Sequence, residues 1–78
     1  MVVFHWEGDA REVGVAGSFT QWKTVALKER SATVFECEVC LPQGRHEYKF
    51  LVDGHWKHDR TQPTVANSSG ALNNIIEV

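Results

Sequence analysis

The sequence predicts an all-β fold, an immunoglobulin-like (early-set) antiparallel β-sandwich of six or seven short strands. In three segments apolar residues alternate with polar or small ones, which is the pattern of half-buried strands. Turn residues separate these segments at the spacing typical of a small sandwich, and no segment shows a convincing helical pattern. The alternating apolar sets are Val13, Val15 and Phe19, then Phe35, Cys37, Val39 and Leu41, then Tyr48, Phe50 and Val52.

The turns support this interpretation. The dipeptide Asp53-Gly54 stands between two apolar segments and is a strong signal for a two-residue hairpin. A proline–glycine turn at 42–44 separates the strand before it from the strand after it. A last short strand is expected over 74–78, and the polar stretch between Lys57 and Leu72 is predicted to be a long loop.

Length and charge narrow the classes of function. The 78 residues are expected to form a single domain, 1–78, cut from a longer chain and monomeric in isolation. The net charge is −2 and the basic residues are scattered, so a nucleic-acid partner is not expected. No apolar run approaches the roughly 20 residues that span a bilayer, and residues 1–6 lack the charged-then-apolar pattern of a secretory signal. With only two cysteines, a cytoplasmic location is expected and a membrane partner is not.

Three tryptophans are the most informative side chains. Trp6 follows Phe4 at period two and is predicted to lie in the core. Trp22 and Trp56 have polar neighbours, and an exposed indole offers a flat apolar face together with an N–H donor. Such a face matches the C–H patch of a sugar ring. Composition alone leaves open that both are partly buried residues at a sheet edge.

Catalytic and metal sites are not predicted. His55 and His58 are three apart on an extended segment and face opposite sides, so they form no metal site. Cys37 is expected to be a core residue and Cys40 a surface thiol, unpaired because they too are three apart on a strand. Glycoside hydrolysis needs two carboxylates about 5–9.5 Å apart, and no such pair is recognisable. We therefore expect no enzyme activity and no cofactor.

Two signatures and a closing strand resemble family 48 carbohydrate-binding modules. The first signature is the run Glu12–Trp22, and the second extends from Leu41 to Asp59. The closing strand matches over 73–78, so the resemblance covers nearly the whole chain in the right order. Within the family, the second half is most similar to the glycogen-binding domains of AMP-activated protein kinase β subunits. The resemblance implies a sandwich that binds glycogen, starch or a cyclodextrin, in a parent chain that belongs to a kinase heterotrimer.

The same resemblance implies roles for individual residues. Trp22 and Trp56 would stack on glucose rings, and Lys49 and Asn73 would hydrogen-bond to sugar hydroxyls. Lys49 also alternates away from its apolar neighbours, which independently predicts an outward side chain. The loop before the last strand departs from the family, since Ser69 and Ala71 occupy positions where leucine and threonine are usual.

Two other functions stay open at this stage. One is an immunoglobulin-like protein-interaction domain whose sugar site has decayed, which Ser69 and Ala71 favour. The other is the N-terminal module of a branching or debranching enzyme, which the kinase-like second half disfavours.

Overall fold

The computed structural model describes residues 1–78 and confirms the all-β, antiparallel sandwich. It contains nine strands and a single 3-10 turn at Ser18–Thr20. No helix in it has the length and apolar character needed to cross a membrane. The strands are β1 (Val2–Glu7), β2 (Val13–Gly17), β3 (Val25–Ala26), β4 (Lys28–Ser31), β5 (Val34–Val39), β6 (Arg45–Val52), β7 (His55–Lys57), β8 (Thr64–Ala66) and β9 (Leu72–Glu77).

The strands form two sheets. The smaller has three strands in the order β1-β5-β4, and the larger has six, in the order β3-β2-β6-β9-β8 with β7 paired to β6. All pairs are antiparallel. Strand β6 is the longest and pairs with β2, β7 and β9, so it carries most of the larger sheet.

The core lies between the two sheets and contains the inward residues that the alternation predicts. Phe50 and Val15 are essentially inaccessible to solvent, and Tyr48 contacts Phe4 with ring centroids 4.9 Å apart. Strand β2 is buried along its whole length rather than on one face. At Gly14 the reason is local, because the side chain of Thr24 occupies the space that a Cβ would need. The buried apolar residues are Phe4, Val13, Val15, Ala16, Leu27, Phe35, Tyr48, Phe50 and Val52.

Several details of the sequence prediction are wrong. Strands β3, β4 and β8 bring the number to nine, and β8 lies inside the stretch predicted as a long loop. Phe19 is in the 3-10 turn rather than in a strand, although its ring still stacks on Phe4 at 5.3 Å. Trp6 is half-buried rather than part of the core: it packs on Phe50 at 5.1 Å but remains partly open at the edge of the sandwich.

The predicted hairpin at Asp53-Gly54 is confirmed. Val52 pairs with His55, and both turn residues have positive φ, 49° and 83°, as a tight two-residue hairpin turn requires. The Asp53 carboxylate also accepts hydrogen bonds from the backbone N–H groups of Arg11 and Glu12, each at 2.9 Å. These two hydrogen bonds lower the pKa of the Asp53 carboxyl, and the bond from the Glu12 N–H has the larger effect. The turn is thereby fastened to the segment that leads into β2.

The single tyrosine gives a pH-dependent prediction. Burial, with a smaller effect from the charge of Asp59, raises the pKa of Tyr48 from 10.0 to about 12. The unfolded chain therefore loses this proton near pH 10 while the folded chain keeps it to about 12, so the free energy of unfolding falls as pH rises through that window. We expect the melting temperature to drop between pH 10 and 12 by less in Tyr48→Phe than in the wild type. Identical pH profiles would show that Tyr48 does not contribute.

Candidate functional site

The outer face of the larger sheet contains the polar residues that the sequence singles out. Along β6 the even-numbered residues face the core, so Glu47, Lys49 and Leu51 point outward. Lys49 is opposite Ala16 of β2, and Leu51 is opposite Gly14. Both small residues of β2 are covered, since Ala16 is inaccessible to solvent and the Thr24 side chain lies over Gly14.

Trp56 lies on the same face as Lys49. It is the central residue of β7 and is directly opposite Leu51, and residues that pair across antiparallel strands point to the same side of a sheet. Half of the Trp56 surface, 50%, is exposed. The structure thus brings a broad exposed indole to the face that carries Lys49.

Trp22 is held at the end of the neighbouring strand β2 by an unusual backbone. Gln21 and Trp22 are consecutive left-handed residues, with φ of 53° and 61°, a conformation that costs a non-glycine residue about 1–2 kcal/mol. The Trp22 N–H donates to the Gly17 carbonyl at 2.9 Å, and Trp22 remains 43% exposed. Strain of this kind often accompanies a binding site, because the surrounding structure must hold the residue in place.

Gly17 makes this turn possible. A Cβ at Gly17 would overlap both the Phe19 ring and the Glu47 carbonyl, so no other residue fits without movement. Thr20 completes the turn, since its hydroxyl donates to the Gly17 carbonyl at 3.1 Å and accepts from the Gly17 N–H at 3.2 Å. The backbone of Trp22 is therefore held next to Gly17, the last residue of β2.

Asn73 is also on this face, and its residue surface is almost entirely buried. It pairs with Val65 and precedes Asn74, the partner of Tyr48, so the register places it beside Lys49. Only 6% of Asn73 is exposed, and its Nδ2 donates to Glu47 Oε1 at 3.2 Å. The amide is held by a neighbouring carboxylate, and its Oδ1 has no partner within the domain.

The loop between β8 and β9 is ordered by a single side chain. Asn67 Oδ1 accepts hydrogen bonds from the Ser69 N–H, the Ser69 hydroxyl and the Ala71 N–H, at 2.9, 2.8 and 3.1 Å. Gly70 has φ of 86°, a conformation that favours glycine. Ser69 and Ala71 are both exposed in this compact loop.

Sequence reasoning missed the residue that positions the segment after Trp56. Asn74 is fully buried, and its Oδ1 accepts from the Asp59 N–H at 2.7 Å. Its Nδ2 donates to the carbonyls of Asp59 and Pro63 at 2.8 and 3.2 Å. Hydrogen bonds to the Asn74 side chain therefore hold the 59–63 segment, which is not part of a strand. An asparagine at an inward position of a core strand was the only signal in the sequence.

The cysteines and histidines are not brought together into a site. Cys37, like Trp6, is only partly buried and packs against the core rather than forming part of it, and burial raises the pKa of its thiol. Cys40 is exposed, and both thiols are free. The structure contains no cluster of histidine, cysteine, aspartate and glutamate side chains suited to a metal ion. His5 instead contacts Glu36 at 3.1 Å on the outer face of the smaller sheet.

An antiparallel sandwich with two exposed tryptophans, one of them on the sheet face that carries Lys49, is typical of carbohydrate-binding modules. The family described as the glycogen recognition site of AMP-activated protein kinase matches residues 1–78, and the chain belongs to this family.

Three curated relatives illustrate the similarity. The chain is 47% identical over 76 residues to 5'-AMP-activated protein kinase subunit beta-1 of Sus scrofa, covering 97% of this chain and 62% of the relative. Identity is 46% to subunit beta-1 of Homo sapiens and 41% to subunit beta-2 of Mus musculus, each over 97% of this chain and 28% of the relative. The chain thus spans less than two thirds of the length of these relatives.

Proposed function

We propose that the chain binds α-1,4-glucans such as glycogen or starch on the outer face of its larger sheet. Glucose rings stack on Trp22 and Trp56, and Lys49 and Asn73 hydrogen-bond to the hydroxyls. The observation that carries the proposal is the half-exposed indole of Trp56 on the same sheet face as Lys49, in a chain whose family is defined by glycogen recognition. The strained backbone at Trp22 adds support, because it holds a second exposed indole at the end of β2.

Glu47 acts in this site as a positioning residue. Its carboxylate accepts the Asn73 Nδ2 hydrogen bond, which fixes the amide and directs Oδ1 away from the carboxylate. Asn73 then serves as an acceptor for a sugar hydroxyl, while Lys49 supplies donors from its ammonium group. A preformed pair of this kind lowers the ordering cost of binding.

The domain attaches a larger protein to glucan and does not hydrolyse it. Glycoside hydrolysis needs two positioned carboxylates. The residues proposed to bind the sugar include no carboxylate, and the neighbouring Glu47 is already hydrogen-bonded to Asn73. The relatives are named as beta subunits of 5'-AMP-activated protein kinase, which supports a kinase β subunit as the parent protein. A regulatory role in a heterotrimer and a cytoplasmic location are part of the same proposal. In isolation, residues 1–78 are proposed to form one monomeric domain.

Titration of the chain with a cyclic heptaglucan, and a pull-down on glycogen, test this function. We expect a binding free energy of about −5 to −7 kcal/mol, because a few ring stacks and hydrogen bonds must offset the cost of association. Binding to neither ligand at millimolar concentration would overturn the proposal. That result would instead favour a protein-interaction domain with a decayed sugar site, for which Ser69 and Ala71 are the supporting observation.

The Ser69→Leu variant tests the contribution of the β8–β9 loop. Leucine at this exposed position adds apolar surface facing the glucan, and partial burial of that side chain is worth about 1 kcal/mol. We therefore expect several-fold tighter binding to the cyclic heptaglucan. The variant loses one exposed hydrogen bond to Asn67 but keeps the bond from its N–H, so the free energy of unfolding should change by about 0.5 kcal/mol. Equal or weaker binding by Ser69→Leu would show that this loop does not face the sugar.

A further inference from the structure

The first strand of the smaller sheet has one edge without a partner. In the order β1-β5-β4, β1 pairs only with β5, in an unbroken register over its six residues. The pairing continues past the strand, where the Gly8 N–H donates to the Thr33 carbonyl at 2.8 Å. Because hydrogen bonding alternates along an antiparallel pair, the even-numbered residues of β1 bond to β5. The N–H and C=O groups of Val3, His5 and Glu7 therefore point to the open edge.

The other open edges of the sandwich are interrupted or short, whereas the edge of β1 is neither. Strands β3, β7 and β8 have two or three residues, and β4 has a register shift in its pairing with β5. Short edge strands and irregular pairing are common means by which proteins prevent the addition of another chain. Strand β1 is six residues long and regular, so it offers a template for an added strand.

Space for such a strand lies beside the open edge. A groove of about 670 Å³ separates the end of β1 from β7 and the residues that follow β7. Trp6 lines this groove and is only half-buried, because its ring packs on Phe50 but no further strand covers it. The opposite wall carries Lys57 and Arg60 against one carboxylate, that of Asp59. An inward side chain of an added strand is therefore favoured to be apolar rather than basic.

The free charges on the outer face beside this edge are negative. Glu7 is exposed at the edge itself, and the exposed Glu38 lies opposite Val3 on β5. Neither carboxylate makes a hydrogen bond or ion pair within the domain. The cations of this face, Lys28 and Arg30, are on β4, which is two strands or about 10 Å from β1. The outward side chains of an added strand would therefore meet carboxylates.

We propose that β1 receives an antiparallel strand from a partner protein, an extended segment in which apolar residues alternate with Lys or Arg. Backbone hydrogen bonds to Val3, His5 and Glu7 provide affinity, and the alternating side chains provide specificity. The apolar residues cover Trp6 from the inner side, and the basic residues lie beside Glu7 and Glu38 on the outer face. The added strand extends the smaller sheet, so the proposal is independent of glucan binding on the larger one.

Hydrogen exchange measured by NMR tests the proposal, with the peptide acetyl-Lys-Val-Lys-Val-Lys-Val-Lys-amide as the probe. In the free domain the amides of Val3, His5 and Glu7 should exchange rapidly, and those of Phe4 and Trp6 should exchange slowly. Saturating peptide should slow exchange at the three edge amides at least about tenfold and leave Phe4 and Trp6 unchanged, because only the edge amides gain acceptors. A cyclic heptaglucan should not protect these amides.

Matched peptides separate strand addition from other modes of binding. Residues that pair across antiparallel strands point to the same side, so the lysines of the probe pair with the exposed residues of β1. Methylation of the lysine backbone nitrogens should therefore abolish binding, whereas methylation of the valine backbone nitrogens, which face away from β1, should preserve it. Replacement of every lysine of the probe by glutamate should weaken binding at least about fivefold.

Three results would overturn the proposal. The first is that millimolar probe leaves exchange at Val3, His5 and Glu7 unchanged. The second is that the peptide methylated at its lysine nitrogens protects these amides as well as the unmodified probe does. The third is that the glutamate peptide binds as tightly as the lysine peptide, which would contradict the assigned charge of the partner.

Discussion

Trp56→Ala is expected to remove most of the affinity for α-glucans, and Trp22→Ala is expected to do the same. By analogy with bases stacked on aromatic side chains, each ring stack contributes about 1–3 kcal/mol, so each variant should bind a cyclic heptaglucan about ten- to a hundredfold more weakly. Calorimetric titration measures this change directly. The double variant should show no measurable binding.

Both variants should remain folded. Trp56 is 50% exposed and Trp22 is 43% exposed, so truncation removes about half of the stabilisation that full burial of such a side chain gives, about 1.5 kcal/mol at most. Trp56→Phe is the matched control, because it keeps a flat ring and should retain more affinity than alanine. Val3→Ala truncates an exposed apolar residue on the other sheet and should leave binding unchanged. Wild-type affinity in both tryptophan variants would refute the site.

The outward direction of Lys49 could be predicted from the sequence because strand alternation determines which way a side chain points. Once Tyr48 and Phe50 were placed in the core, Lys49 had to point outward, and the Asp53-Gly54 turn fixed the pairing that brings Trp56 to the same side. These are local rules, with a period of two residues and a two-residue turn, and they operate without knowledge of the tertiary structure.

Features that depend on contacts between distant segments could not be predicted. Trp6 has the alternation of a core residue, but it lies near the end of an edge strand, where no further strand covers it. Strand β8 forms in a polar stretch only because β9 provides its partner. Asn74 faces the core and Asn73 the outer side because of the register between β9 and β6. No property of the dipeptide itself reveals this difference.

Among substitutions in the 59–63 segment and in the residues that contact it, Asn74→Ala is expected to cause the largest loss of stability. The alanine variant leaves the Asp59 N–H without a partner, removes one of the two hydrogen bonds that each of the Asp59 and Pro63 carbonyls accepts, and creates a cavity at a fully buried side chain. The unsatisfied N–H costs about 1–3 kcal/mol and the two lost hydrogen bonds about 1 kcal/mol each, which suggests a total loss of about 3–5 kcal/mol. For a domain of this size, that corresponds to a fall in melting temperature of more than about 10 °C.

Asn73→Ala is the matched control, since it removes the same amide from the preceding residue of β9. Asn73 makes a single side-chain hydrogen bond, to Glu47, so its loss should cost about 1 kcal/mol and weaken glucan binding more than it weakens the fold. In Asn74→Ala, hydrogen exchange at the Asp59 amide should accelerate even at temperatures where the domain remains folded, because that amide loses its acceptor. A melting temperature within about 3 °C of the wild type, with Asp59 still protected, would show that the 59–63 segment is held by other contacts and that the buried amide is dispensable.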